Sequence, residues 1–373
     1  MIIETQIKQY RERFFVELAR ELAARNVELK VLYSAAHGAE RTKRDTVELA
    51  PELGIKVPGV WLFGERVLVQ PVLRHVRDAD LVITEQGNRL LFNYVLLAMS
   101  QLRLKRIAYW GHGYNHQARG RSVSEWLKRR LVSRVDWWFA YTDNVARYLV
   151  DQGVDRDTIS VVQNTIDTSE LSASLAQLDT PARDRVRARL GIPRGSSVAL
   201  FCGSLYAEKK LGFLIDAMRD VRSRVPAFHL VIVGDGPDRA LVEAAAAELP
   251  FVHWVGSAFG PERAAYFAIA DVFLMPDLAG LAIVDAFAAG LPVVTTDARF
   301  HGPEIEYVRS GVNGVITPHV TGDYSGAVTQ ILVDRDQLLA LKRGALASAS
   351  RLTLGHMVAA FADGVVRALA EAP

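Results

Sequence analysis

The sequence predicts an α/β fold of two βαβ domains, each a largely parallel sheet, facing each other across a cleft. Apolar strand-like runs alternate with helical patterns almost throughout, and 373 residues exceed one ordinary core but suit two. The strand signal also lapses once, between Ser169 and Arg194, before a second series begins. Both domains therefore read as Rossmann-like. The expected boundaries are residues 1–170 for the first domain, 171–350 for the second, and 351–373 for a C-terminal helix packing back toward the first.

In chain order, "MIIETQI" reads as a strand and "YRERFFVELARELAARN" as a helix with Phe14, Phe15, Leu18 and Leu22 on one face. "VELKVLYS", "DLVIT", "RIAYW" and "WWFAYT" continue the first sheet. The polar, Ala- and Arg-rich stretch ending in "GIPRGS" is expected to connect the domains. "SVALFCGS", "HLVIVGDG", "FVHWVGS", "DVFLMP", "LPVVTT" and "NGVITP" then form the second sheet, and the pattern is helical from Tyr324 onward.

Half the residues are apolar, 23% are charged and the net charge is +2, which excludes an intrinsically disordered chain. Cys202 is the single cysteine, so an internal disulfide and a cysteine-ligated zinc site are excluded and a reducing, cytoplasmic location is expected. Charge interrupts the N-terminus too early for a signal peptide, and no apolar run is expected to span a membrane. The stretch 101–135 is strongly basic, with Glu125 as its one acid before Asp136.

The segment "DLAGLAIVDAFAAGLPVVTT" carries the first candidate site. Its helix is apolar on every side except at Asp285, and burying an unpartnered carboxylate is costly. Asp285 therefore faces a packing gap, a ligand hydroxyl or a single wet edge. Asp277 follows a strand as a helix cap or as an acceptor for a ligand hydroxyl, while Gly280 lets an anion approach the amides at the helix start. Gly203 ends a strand in "CGSLYAEKK", with Lys209 and Lys210 opening a helix as cations for an anion or as a solvated pair.

"VIVGDGPD", containing Gly234, only partly imitates a dinucleotide fingerprint and reads better as a tight turn lining the cleft. His112, between Gly111 and Gly113 at a strand end, is either inert or a donor, acid or base. His116 lacks a third ligand, so no metal is expected there. "DAD" at residues 78–80 precedes a strand and suits a turn.

Asp277, Gly280, Asp285, Ala286, Gly290, Pro292 and Val293 match E-x-x-G-x-x-x-x-E-A-x-x-x-G-x-P-V, the pattern of retaining glycosyltransferases of the GT-B fold, and the chain resembles family four, glycosyl transferases group one. "GSLYAEKKLGFLIDA", "VIVGDGP", "VVQNTIDT" and "PEIEYVRSGVNGVI" resemble further family segments. The resemblance implies transfer of a sugar from a UDP-, GDP- or dTDP-sugar to an acceptor hydroxyl, without cofactor or metal. It implies Asp285 on the ribose, Asp277 on the donor sugar, Lys209 on the diphosphate, the amides of Gly280 and Leu281 near donor oxygens, and His112 reaching the donor sugar.

Three departures stand out. Both motif glutamates are aspartates, Ser204 replaces the family's arginine, and "IKQYRERFF" replaces the glycine-rich N-terminal loop, resembling members with a Tyr-Arg pair. Tyr10, Arg11 and Asn88 are thus acceptor-side candidates, with Gly203, Ser204, Lys210 and Gly234 on the donor side. Trp126, Lys128, Arg129, Arg130 and Arg134 suit an anionic membrane surface or are an ordinary solvated basic face, and the favoured acceptor is a lipid-linked or cell-envelope glycan. No nucleic-acid module accompanies the charge. The alternatives are a catalytically silent nucleotide-sugar or partner-binding protein of the same fold, and a nucleotide-sugar epimerase.

Overall fold

The computed structural model describes residues 1–38, 45–87, 89–113 and 132–370. Two compact units emerge: Met1–Asp167 together with the chain from Leu354 onward, and Thr168–Thr353.

The first unit is built on a parallel seven-stranded sheet. Its strands are β1 (Ile2–Ile3), β2 (Val31–Tyr33), β3 (Gly54–Lys56), β6 (Leu81–Glu85), β7 (Arg106–Gly111), β8 (Trp137–Ala140) and β9 (Ile159–Val161). A small antiparallel pair, β4 (Val60–Leu62) and β5 (Val67–Val69), interrupts the series. The strand order is β3-β2-β1-β6-β7-β8-β9, so consecutive numbering breaks between β1 and β6. Central strands of a sheet covered on both faces are apolar throughout, as "WWFA" illustrates. Trp137 and Phe139 enter the core on one face, Trp138 and Ala140 the core on the other.

The helix Gln9–Ala23 buries Phe14, Phe15, Leu18 and Leu22, the face its spacing predicts. Beside it on the same core lies Leu354–Ala370, where Phe361 stacks on Phe139 with centroids 4.3 Å apart. Gly364 permits that approach: a Cβ there would lie 2.5 Å from Ser160 Oγ and 2.7 Å from the Phe139 ring. By length and composition the helical stretch Arg335–Ala370 is apolar enough to cross a membrane, contrary to the sequence expectation. The stretch is broken between Ala349 and Leu354, and Met357, Phe361 and Ala362 are fully buried against protein. Core packing accounts for its apolar face.

The second unit contains β10 (Ser197–Cys202), β11 (Phe228–Val233), β12 (Val252–Trp254), β13 (Val272–Leu274), β14 (Val293–Thr296) and β15 (Gly314–Thr317), all parallel. Their order, β12-β11-β10-β13-β14-β15, reverses direction between β10 and β13. Ligands of open α/β sheets bind at such a point, outside the carboxyl ends of the two strands.

The stretch read as a connection folds instead into helices Ser169–Ala176 and Thr180–Arg189 of the second unit. Asp179 caps the latter, accepting from Ala182 N at 2.8 Å, with Pro181 in the first turn. A polar, Arg-rich helix lying on the surface carries a weak apolar period, which is why composition alone read as linker.

Candidate functional site

The loops after β10 and β13 meet at the reversal point of the second unit. After β10 the chain passes Gly203 and an exposed Ser204, makes a 3₁₀ turn at Ala207–Lys209, and starts the helix Leu211–Arg224. Lys210 holds the junction in a left-handed conformation, φ 54°, and its side chain is exposed. Lys209 turns inward and is only 8% exposed. Its ammonium donates to Leu278 O at 2.6 Å and lies 3.5 Å from Met275 Sδ. Burial lowers its pKa to about 8, and Asp277 nearby partly opposes that shift. The lysine pair is therefore split: one cation ties the two loops together and the other faces solvent.

Asp277 is buried, its Oδ1 accepting from Leu278 N at 2.7 Å. That short bond turns the chain back on itself, with Leu278 at φ 47°. His301 fixes the loop from the other side: its Nδ1 accepts from Ala279 N at 3.0 Å and its Nε2 donates to Thr296 O at 2.8 Å. These partners define the imidazole tautomer. Gly302 N donates to Ala279 O at 2.9 Å, and the buried Glu304 follows within the turn Pro303–Tyr307. Gly280 and Leu281 lead into the helix Ala282–Ala288.

That helix is buried around its circumference, as its composition predicts. Asp285, 5% exposed, meets a partner that the sequence reading did not include. Arg263, from the helix Gly260–Ile269, reaches Asp285 Oδ2 at 2.7 Å through Nη1. Neither a packing gap nor a wet edge is needed to house the carboxylate. Burial raises the Asp285 pKa, and the Arg263 charge and hydrogen bond pull it back. Cys202, ending β10, is close enough to feel both charges, and burial pushes its thiol up to about 12. The thiol is accordingly protonated and a poor nucleophile.

Gly234 has a packing role. At φ 147° its hydrogen faces the Gly203 carbonyl, which any Cβ would strike, and Gly236 meets the Leu205 backbone in the same way. The β11 turn is thereby laid against the β10 loop, with Leu205 N donating to Asp235 O at 3.0 Å.

The remaining candidates belong to the first unit. His112 follows β7 with its ring edge-on to Tyr141, centroids 4.7 Å apart, and is exposed. Tyr10 is exposed in the first turn of its helix, whereas Arg11 is buried. The Arg11 guanidinium bonds Asn164 Oδ1 and lies 4.8 Å over the Trp110 ring. Arg11 is thus committed to the interior of its own unit. Asn88, His116, Trp126, Lys128, Arg129 and Arg130 lie outside the described residues. Arg134 is exposed in the turn Val132–Arg134 and donates to Gln101 Oε1 at 3.0 Å. Asp78 and Asp80 precede β6, at the amino end of the sheet.

Arg263 and His301 escaped the sequence reading because neither stands at a spacing that marks it. Arg263 lies on a different helix, 22 residues before its partner.

Comparison with known proteins bears on the family and the fold. Residues 196–334 match the profile described as glycosyl transferases group 1, and residues 12–170 that of glycosyltransferase family 4. The D-inositol 3-phosphate glycosyltransferase of Nocardia farcinica (strain IFM 10152) is 30% identical over 65% of this chain and 55% of its own. A GDP-mannose-dependent alpha-(1-6)-phosphatidylinositol monomannoside mannosyltransferase of Mycobacterium tuberculosis (strain CDC 1551 / Oshkosh) is 30% identical over 44% of this chain and 45% of its own. The chain thus spans about half the length of these relatives. Anabaena HepE, solved in complex with UDP, superposes with a TM-score of 0.70 at 17% identity, covering 98% of this chain and 99% of that one. With one profile on each unit and the two-unit α/β architecture shared with solved glycosyltransferases, the chain belongs to the GT-B glycosyltransferases of the family 4, group 1 type.

Proposed function

We propose that the protein is a retaining glycosyltransferase, moving a sugar from a nucleotide-diphosphate sugar to a hydroxyl of a lipid-linked or cell-envelope glycan. The observation that carries the reading is the placing of Lys209 and Asp277 together at the reversal point of the second sheet. As the bond between sugar and phosphate breaks, negative charge grows on the leaving diphosphate. A preorganised, mostly desolvated ammonium there stabilises the transition state more than the ground state.

One Lys209 N–H is held by Leu278 O and a second points to Met275 Sδ, leaving the third for a phosphate oxygen. Asp277 keeps Oδ2 for a donor-sugar hydroxyl, since the backbone bond uses Oδ1. Asp285 retains lone pairs beyond those used by Arg263 and can accept from the ribose. In the proposed retaining step the acceptor oxygen attacks the face the diphosphate leaves. A donor phosphate oxygen takes the acceptor's proton, so no protein nucleophile and no metal is required. His112 is assigned an orienting role on the donor sugar, and the amides of Gly280 and Leu281 a contact with donor oxygens.

The names of the relatives support both a lipid acceptor and a nucleotide-sugar donor, with GDP in one and UDP in HepE, so the base stays open among UDP, GDP and dTDP. The proposal keeps the protein in the cytoplasm, in accord with its lone Cys202, and at the inner membrane face through the basic stretch ending at Arg134. A binding protein without transfer is motivated by the altered motif, with Asp277 and Asp285 in place of glutamates and Ser204 in place of arginine.

Incubation with a panel of UDP-, GDP- and dTDP-sugars and membrane extract tests the reading. Nucleotide release with glycosylated product, undiminished by EDTA, is expected. Stoichiometric donor binding without release would sink the transferase, and a free epimerised nucleotide sugar would replace it with the epimerase.

A further inference from the structure

The candidate donor loops leave the carboxyl ends of β10 and β13, but the second unit also has a cavity at the opposite, amino ends of β13 and β14. It measures about 330 Å³, the lower end of the range that ligand pockets occupy. The helices Gly260–Ile269 and Ala282–Ala288 both end there, each just before the chain turns into its strand. Phe267, Ala270 and Leu291, all buried, form an apolar floor. Leu175 and Leu346 complete the apolar lining, and Leu346, on the helix Arg335–Ala349, is still 53% exposed. An open hollow with such walls keeps apolar surface in water, at a cost that the chain of a ligand would recover.

The charge at the cavity has one sign. Among the described residues Arg183 and Lys342 line it and no carboxylate does. Lys342 is matched from behind, its ammonium donating to Asp271 Oδ1 at 3.0 Å. Arg183 is not matched: its Nε donates to Leu178 O at 3.1 Å, and neither Nη has a partner among the described residues. Its exposed guanidinium therefore brings uncompensated positive charge to the mouth. The floor has the opposite character, because two helix C-termini carry partial negative charge to it and keep an anion out. A ligand that suits both ends has an apolar tail for the floor and an anionic head for Arg183.

We propose that this cavity binds one medium-chain fatty acid, with its methylenes on Phe267, Ala270 and Leu291 and its carboxylate on the Arg183 guanidinium and a remaining Lys342 N–H. At about 30 Å³ for a group the size of water, the space holds about eleven heavy atoms. That is one chain of about eight to ten carbons, and it is too small for the two chains of a membrane phospholipid. The binding is independent of the glycosyltransferase reading, because none of the donor-side candidates lines the cavity.

The test is calorimetric titration of the full chain, without nucleotide sugar, using hexanoate, octanoate and decanoate, with octanol and octylamine as head-group controls. Affinity should rise about threefold for each added methylene until the cavity is full, slightly less than complete burial would give. Octanoate should bind more tightly than octanol, and octanol more tightly than octylamine. Arg183→Gln should weaken octanoate about threefold, the weight of an exposed ion pair, and leave octanol unchanged. Ala268→Leu, whose longer side chain occupies the cavity, should weaken both by more than about tenfold. If that variant melts early, Arg183→Gln still decides, because Arg183 is exposed and its replacement spares the core. No saturable binding of octanoate or decanoate up to about 5 mM overturns the proposal. So does an affinity that ignores chain length, octylamine binding as tightly as octanoate, or wild-type octanoate affinity in both variants.

Discussion

Arg263 forks the carboxylate of Asp285, Nη1 standing 2.7 Å from Oδ2 and Nη2 3.4 Å from Oδ1, and so ties the helix Gly260–Ile269 to the helix Ala282–Ala288. The two partners differ in exposure: the Asp285 side chain is 8% exposed and that of Arg263 30%. Removing either one therefore has unequal consequences.

Arg263→Ala leaves a buried anion alone and is expected to cost about 3 kcal/mol. Asp285→Ala leaves a cation able to turn toward water and should cost about 1 kcal/mol, while weakening nucleotide binding. Urea unfolding of both variants measures the difference. Equal costs would mean that the pair contributes no directional stabilisation.

Lys209 makes donor use sensitive to alkaline pH. Burial holds its folded pKa at about 8, below the ordinary 10.5, so the ammonium loses its proton as pH rises through about 8. kcat/KM for the donor should fall across that range, and Lys209→Arg should move the fall to higher pH. Stability moves oppositely, because between about 8 and 10.5 the unfolded chain binds the extra proton and folding becomes more favourable as pH rises. A donor profile flat to pH 9.5 would detach Lys209 from the diphosphate.

An acid-sensitive pair lies elsewhere in the same sheet. His229 Nδ1 and His253 Nε2 are 2.9 Å apart, one ring donating to the other. Burial first, then His253, Arg222 and Arg187, lower the His229 pKa from 6.5 to about 4. Its folded pKa is depressed, so the stability of the neutral ring is complete above about 6.5 and is lost as pH falls toward 4. Melting temperature should drop over that window more steeply in wild type than in His229→Gln. Parallel slopes would show that the pair carries no acid sensitivity.

Gly364→Ala tests the docking of the Leu354–Ala370 helix. The new methyl would meet Ser160 Oγ at 2.5 Å and the Phe139 ring at 2.7 Å, so the helix must shift. Overpacking of this kind costs about 1 to 3 kcal/mol, more than the gain in helix propensity. Thermal melting should record the loss, with the Phe139–Phe361 stack disturbed in near-ultraviolet dichroism.

The two parallel sheets were legible because fully buried strands are written as unbroken apolar runs. "SVALFC" and "FHLVIV" could hardly be anything else. β3 was not, since "GIK" is short and partly exposed, and the helices between Ser169 and Arg189 hid behind polar composition. At the candidate site, Asp277 and Asp285 stood out as charges in apolar surroundings, and Lys209 as one of a cation pair after a glycine turn at a strand end. The pairing of Asp285 with Arg263 and the imidazole brace of His301 did not, because each depends on which helix or loop comes to lie beside another.

The chain leaves the first unit at Asp167 and returns to it at Leu354. Phe361, stacked on Phe139, thus emerges from the ribosome only after every strand of the second sheet has been made. During synthesis the second unit can close its core first, while the first waits with Phe14, Trp110 and Phe139 lacking their covering helix. The core of the unit that begins the chain is completed only by residues made after the second unit.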